Sequence, residues 1–161
     1  MKTIVERVAW GNEMFVRELT ALQSPFLLAV RVYWGCLFVE TGWGKLTNLE
    51  KVAGFFESLR IPWPYLGACL AGLSECVGGA LLLAGLLSRP AALSLVFTML
   101  VAYATADREA LVEIFSDPEK FYQADPFSFL MAALLVLLFG SGLFSADAWV
   151  GWWHKKRRRG G

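Results

Sequence analysis

From Pro126 to Ala146 the chain runs 21 residues without a charged side chain. A helix needs about 20 mostly apolar residues to cross the hydrocarbon of a bilayer, with a range of roughly 17–25. Three other stretches approach the same rule. Pro64 to Leu87 holds one charge, Glu75, and Pro90 to Ala106 holds none but is short. The segment from about Pro25 to Lys45 comes first and is the least apolar, because it contains Arg31 and Glu40. The pattern predicts spans at about 25–45, 64–87, 90–106 and 127–145, in an all-α membrane four-helix bundle. Hydrophobic residues make up 57% of the 161-residue chain. A soluble domain of that size could hardly hide so much apolar surface. Disorder is excluded by the same composition. Fifteen basic residues face 14 acidic ones, which excludes a typical nucleic-acid surface.

Four spans place both termini on one side. That side would carry Lys2, Arg7, Arg17, Arg89 and the run Lys155 to Arg159, nine basic residues against five on the other. The excess predicts cytoplasmic termini. If the first span were only an interfacial helix, the two terminal basic groups would lie on opposite faces. Trp43 and Trp63 fall at outer span ends, and Trp149, Trp152 and Trp153 follow the inner end of span four, as interfacial indoles do. The terminal basic run reads as a cytoplasmic anchor beside anionic lipid.

Residues 1–24 lack the apolar run of a secretory signal. Ile4, Val5, Val8, Phe15, Leu19 and Leu22 recur at roughly helical spacing among Glu6, Arg7, Glu13, Arg17 and Glu18. This predicts an amphipathic helix on the inner surface, with partner docking as the competing use. In the first outer loop, Asn48 is placed to cap a short helix bearing Leu49, Val52, Ala53, Phe56 and Leu59. The second, Asp107 to Asp125, is acidic, with a short helix near Leu111 to Phe115 stopped at Asp117-Pro118. The Ser88-Arg89-Pro90 turn is tight and makes spans two and three antiparallel neighbours. The organisation is then a segment 1–24, a membrane domain 25–145 and a basic tail 146–161.

One histidine, His154, cannot supply paired axial ligands, so haem is not expected. Histidine-rich zinc and di-iron sites are equally unsupported, and no metal is expected. Cys36, Cys69 and Cys76 contain no C-x-x-C pair. They read as small buried residues, with a Cys36–Cys76 redox pair as the alternative. No nucleotide-binding glycine loop occurs.

Charges inside a span cost roughly 2.5–3.5 kcal/mol on insertion scales and mark sites or packing devices. Arg31 either snorkels, ties down a neighbouring helix, or binds a ligand. Glu75 lies near mid-span and cannot snorkel. Antiparallel spans rising ~1.5 Å per residue bring Glu40 and Glu75 to similar depth. Two carboxylates there would share protons. The alternative is that Glu75 pairs with Arg31 or Lys45 to fix packing. Arg31, Gly35, Phe38, Gly42 and Lys45 form one helical stripe, with Glu40 about 180° from Arg31. Gly72, Glu75, Gly78 or Gly79 and Leu82 share a face of span two, where small residues permit close approach.

At these residues the sequence resembles the DoxX family of small four-span membrane proteins. The matching pattern is Arg31-x3-Gly35-x2-Phe38-x3-Gly42-x2-Lys45-Leu46, then Glu75-x2-Gly78-Gly79-x2-Leu82-Leu83-x-Gly85-x3-Arg89. The Ile61-Pro62 lead also fits, and the likeness covers roughly Arg31 to Ala106. It implies a prokaryotic-type cytoplasmic membrane, and relatives that include subunits of thiosulfate:quinone oxidoreductase. It places Arg31, Lys45 and Glu75 in a polar interior and Arg89 at the inner turn.

The resulting expectation is a quinone-linked oxidoreductase or a membrane subunit of one. A quinone would sit between spans one and two, with Arg31 or Lys45 holding its reduced form. Glu75, with Glu40, would deliver protons, and Trp34, Phe38 and Trp43 would wall the site. The alternative is a non-catalytic anchoring subunit of a larger complex, or a homo-oligomer. A small proton-coupled transporter is a third and weaker reading.

Overall fold

The computed structural model describes residues 4–159, which form eight helices and no strand. Helix α1 spans Ile4–Thr47, α2 Leu49–Ser58, α3 Pro64–Ala84 and α4 Ser88–Thr105. The short α5 (Arg108–Val112) and α6 (Pro118–Gln123) lead to α7 (Pro126–Phe139) and α8 (Ala146–Arg159). Two segments are long and apolar enough to cross a membrane, Leu19–Thr47 within α1 and Pro64–Ala84. At 14 residues, α7 is apolar but short.

Helix α1 runs through Pro25 without a break. The expected surface helix and first span are therefore one continuous element. Pro25 forfeits one backbone hydrogen bond, and the good helix formers Ala21, Leu22 and Gln23 stand just before it. Phe15, Leu19 and Leu22 are exposed on it. The side chains of Ile4, Val5, Val8, Glu6, Arg7, Glu13, Arg17 and Glu18 lie outside the described residues.

Packing begins with α1 against α3. Ala68, Gly72, Glu75, Gly79 and Leu82 are buried at steps of four, three, four and three residues. Arg31, Gly35, Phe38 and Gly42 repeat those steps on α1 and are buried too. A 3.6-residue period makes each set one stripe, and the two stripes face each other. The helices run antiparallel, since Gly35 meets Gly79 and Leu83 while Gly42 meets Gly72 and Cys76. A Cβ on Gly79 would stand 2.6 Å from the Phe38 Cβ and 2.9 Å from the Val39 amide nitrogen. Glycine is required there because the backbones themselves are in contact.

Helix α4 packs on α3 and α7, and α7 returns to α1. Phe38, Leu82, Leu95, Met99, Tyr103, Leu130 and Val136 form the shared core. Outward faces are apolar as well: Leu70, Val77, Leu93 and Phe97 are all exposed. A contiguous apolar exterior of this kind suits lipid and not water.

Three predicted boundaries move. The Asn48 side chain donates to the Gly44 carbonyl and makes no capping bond to α2. The turn between α3 and α4 is Gly85 to Leu87, and Ser88-Arg89-Pro90 forms the first turn of α4. Span four was expected to reach residue 145, but α7 stops at Phe139. Gly140 and Gly142 adopt φ of 80° and 74°, backbone conformations that residues with a Cβ rarely take and that do not continue a helix.

Substituting Gly79 by Leu should lower stability by about 1–3 kcal/mol through overpacking of the α1–α3 seam. Gly44 has nothing within 4 Å of a Cβ, so Gly44→Ala should be neutral or stabilise by up to about 1 kcal/mol. Thermal melts of both variants in one detergent check the contrast.

Candidate polar seam between the first and third helices

Arg31 is 1% exposed, the largest of the fully buried side chains. Its Nε donates to the Leu82 carbonyl at 2.9 Å and its Nη2 to the Leu83 carbonyl at 3.2 Å. Its Nη1 donates to the carbonyls of Ser141 at 2.6 Å and Phe144 at 3.0 Å. The first pair closes the C-terminal end of α3, where helical carbonyls lack partners and the dipole is negative. The second pair satisfies the loop that follows α7. One guanidinium thus fastens three chain segments, and the arginine is a tie between helices and not a free ligand group. Gly85, at φ 68°, leaves room for it: a Cβ there would strike the guanidinium.

Beyond that tie, Asp147 opens α8 and reaches the turn between α3 and α4. Its carboxylate accepts from the amides of Leu87 at 2.8 Å and Ser88 at 3.0 Å, and from the Ser88 hydroxyl at 2.8 Å. The Asp147 amide donates to the Gly85 carbonyl at 2.9 Å. An acid from a distant helix therefore caps α4. Burial alone would raise this carboxyl. The hydrogen bonds from Ser88 and Leu87, with the Arg31 charge, outweigh it and hold the group below the ordinary carboxylate range. At the opposite end, burial and then the charge of Asp125 push Asp107 up.

The second charged feature is the pair Lys45–Glu75. Lys45 Nζ donates to Glu75 Oε2 at 2.5 Å, with the two side chains 30% and 4% exposed. Lys45 lies in the last turn of α1, where the helix dipole favours a cation. Glu75 lies on the buried stripe of α3. The acid is thus enclosed, and its partner opens to the surface. No buried side-chain nitrogen or oxygen among the described residues lacks a hydrogen-bond partner.

The other predicted residues disperse. Glu40 is exposed on α1 while Glu75 is buried with Lys45, so the two carboxylates do not form the expected proton-sharing pair. Their similar depth did not bring them together because Glu40 lies off the α1 face that meets α3. Trp34 and Phe38 pack edge-on against Phe129, with centroids 5.1 and 4.8 Å away. They join α1 to α7 and do not wall the Lys45–Glu75 pair. Trp43 is 62% exposed. Cys36 is exposed, Cys76 lies beside Gly42, and both are free thiols. Arg89 is exposed near Gly140. Among the described residues, no group of three or more His, Cys, Asp or Glu could hold a metal.

Asp147, Ser141 and the Ser74 hydroxyl were not singled out in the sequence. Ser74 bonds Ser94 at 2.8 Å and Thr98 at 2.9 Å across α3 and α4. Only Asp147 left a trace, as the first charge after the longest apolar run.

The sequence profile of the DoxX family matches residues 26–108. That stretch contains Arg31, Lys45, Glu75 and both glycine stripes. The chain belongs to the DoxX family. It is 32% identical over 139 residues to an uncharacterized membrane protein, Rv3486, of Mycobacterium tuberculosis, covering 81% of this chain and 85% of that one. It is also 32% identical over 83 residues to the inner membrane protein YqjF of Escherichia coli, covering 51% of this chain and 62% of that one. No solved structure matches it. With its apolar exterior, this DoxX chain is a membrane protein.

Two outcomes are expected at the seam. Lys45→Met strands a buried acid and should cost about 3–5 kcal/mol, whereas Lys45→Met with Glu75→Leu should return to within about 1 kcal/mol of the parent. A double-mutant cycle of thermal melts measures this. Asp147 has a folded-state pKa below its unfolded value. Its contribution is full above the ordinary carboxylate pKa and is lost as pH falls through the depressed folded value. Acid titration followed by hydrogen exchange at Leu87 and Ser88 should show this loss, and Asp147→Asn should lose protection there at neutral pH.

Proposed function

We propose that the chain is a four-span protein of the inner membrane with both termini in the cytoplasm, acting as the membrane subunit of a quinone-linked redox assembly. Ser24, Arg31, the Gly85–Ser88 turn and the Ser141–Asp147 segment meet at one end of the molecule. Arg89 and the basic stretch of α8 belong to that end, which supports a cytoplasmic assignment for it. The name of the Escherichia coli relative, an inner membrane protein, agrees with this location.

The observation that carries the redox reading is the Lys45–Glu75 pair. A carboxylate sits in the seam between two apolar helices beside an ammonium that opens to the surface. Lys45 has three N–H donors and gives one to Glu75, which leaves donors for a quinone carbonyl oxygen. Glu75 would hold the Lys45 ammonium in place beside that oxygen. A bound quinone would supply two-electron, two-proton carrier chemistry. Arg31, Trp34 and Phe38 do not fit this role, because backbone carbonyls and Phe129 already occupy them.

The four hydrogen bonds from Arg31 to main-chain carbonyls favour a second reading, a non-catalytic anchor whose buried charges only fix the packing. Purification of the full chain in mild detergent, with mass spectrometry of all retained lipids and proteins, separates the two. On the redox reading, quinone is retained near one per chain, and retention falls at least about tenfold in Glu75→Gln, a loss of about 1.4 kcal/mol. Fixed partner subunits without quinone, unchanged by Glu75→Gln, would establish the anchor instead.

A further inference from the structure

Helix α8 has no role in the seam beyond its first turn. Trp149, Trp152, Trp153, Lys156 and Arg157 follow one another at i, i+3, i+4, i+7 and i+8, which is one helical face. All five are exposed. The face is graded: three indoles lie toward the end held by Asp147, and the cations lie toward the free end. Each cation also rests on an indole one turn back. Lys156 Nζ is 5.3 Å from the Trp152 ring and Arg157 Cζ is 3.8 Å from the Trp153 ring. These contacts hold both charges beside the aromatic surface. Lys155 and Arg158 flank the face and are also exposed. The only acid on the helix is Asp147, and it is committed to the α3–α4 turn.

We infer that α8 is a clamp for anionic phospholipid, with the indoles at the glycerol level and Lys155, Lys156, Arg157 and Arg158 on the phosphates. Indoles next to cations suit the layered chemistry of a headgroup region, apolar below and anionic above. Helix α8 is hydrogen-bonded at its first turn to the turn that joins α3 to α4, so its root is fixed at the end of the apolar helices. That position sets the indoles where a bilayer surface begins. The Asp147 latch fixes the root of the helix before any lipid is bound. The inference rests on the four-span reading of the chain.

The full chain is reconstituted into nanodiscs of phosphatidylcholine mixed equally with phosphatidylglycerol, then released into mild detergent for native mass spectrometry. Wild type should retain phosphatidylglycerol in preference to phosphatidylcholine. Each Lys or Arg to Gln change in α8 should weaken that preference roughly fivefold at low salt. The variant K155Q/K156Q/R157Q/R158Q should lose it while melting as the wild type does. Trp152→Leu with Trp153→Leu should weaken retention of both lipids. Equal phosphatidylglycerol retention by wild type and the quadruple variant would overturn the clamp. So would displacement of α8 from lipid by added polyglutamate, which would assign the face to an acidic protein. Resistance of all variants to alkaline carbonate extraction would leave the four-span reading standing even if the clamp failed.

Discussion

The fold depends on one buried guanidinium. In a hydrocarbon setting an unpaired carbonyl costs several kcal/mol and irregular backbone survives only when protein satisfies it. The chain breaks its last apolar run at Gly140 and Gly142, and the carbonyls of Ser141 and Phe144 would then be stranded. Arg31 reaches both, and with its other nitrogens takes the end of α3. The charge and the broken helix solve each other's problem. A carbonyl ring disperses the positive charge, and the charge makes a non-helical loop tolerable at the edge of the apolar region.

Around that tie the structure divides its labour. The α1–α3 seam is made by matched stripes in which Gly35, Gly42, Gly72 and Gly79 let the two backbones touch. The other half, α4 with α7, is filled by larger side chains, among them Leu95, Met99, Leu130 and Val136. Phe129 joins the halves through Trp34 and Phe38. Lys45–Glu75 lies within the glycine seam, where close backbones leave little room for water. Enclosure of that kind keeps a carboxylate dependent on its single partner.

Helical periodicity made the seam legible. The four- and three-residue steps of Arg31 to Lys45 and of Gly72 to Leu82 gave both faces and the opposite direction of Glu40. Lys45 was among the partners considered for Glu75. The partners of Arg31 could not be read, because main-chain carbonyls carry no sequence signature. Hydropathy masked the end of α7, because the uncharged apolar run continues across Gly140 and Gly142. Asp147 was hidden by distance, since its capping partners lie 59 and 60 residues earlier. Trp34 and Phe38 were assigned to a ligand wall because an aromatic beside a charge looks the same in sequence whether it faces a ligand or a neighbouring helix.

The arginine tie also orders the birth of the molecule. Arg31 emerges from the ribosome early, yet two of its acceptors lie 110 and 113 residues later. Until they arrive, the guanidinium has only the α3 carbonyls, 51 and 52 residues on, and its Nη1 must stay in headgroup water. The first helix can therefore enter the bilayer at once but cannot settle to its final depth. Its last adjustment waits for nearly the whole chain, which makes the earliest segment among the last to be locked in place.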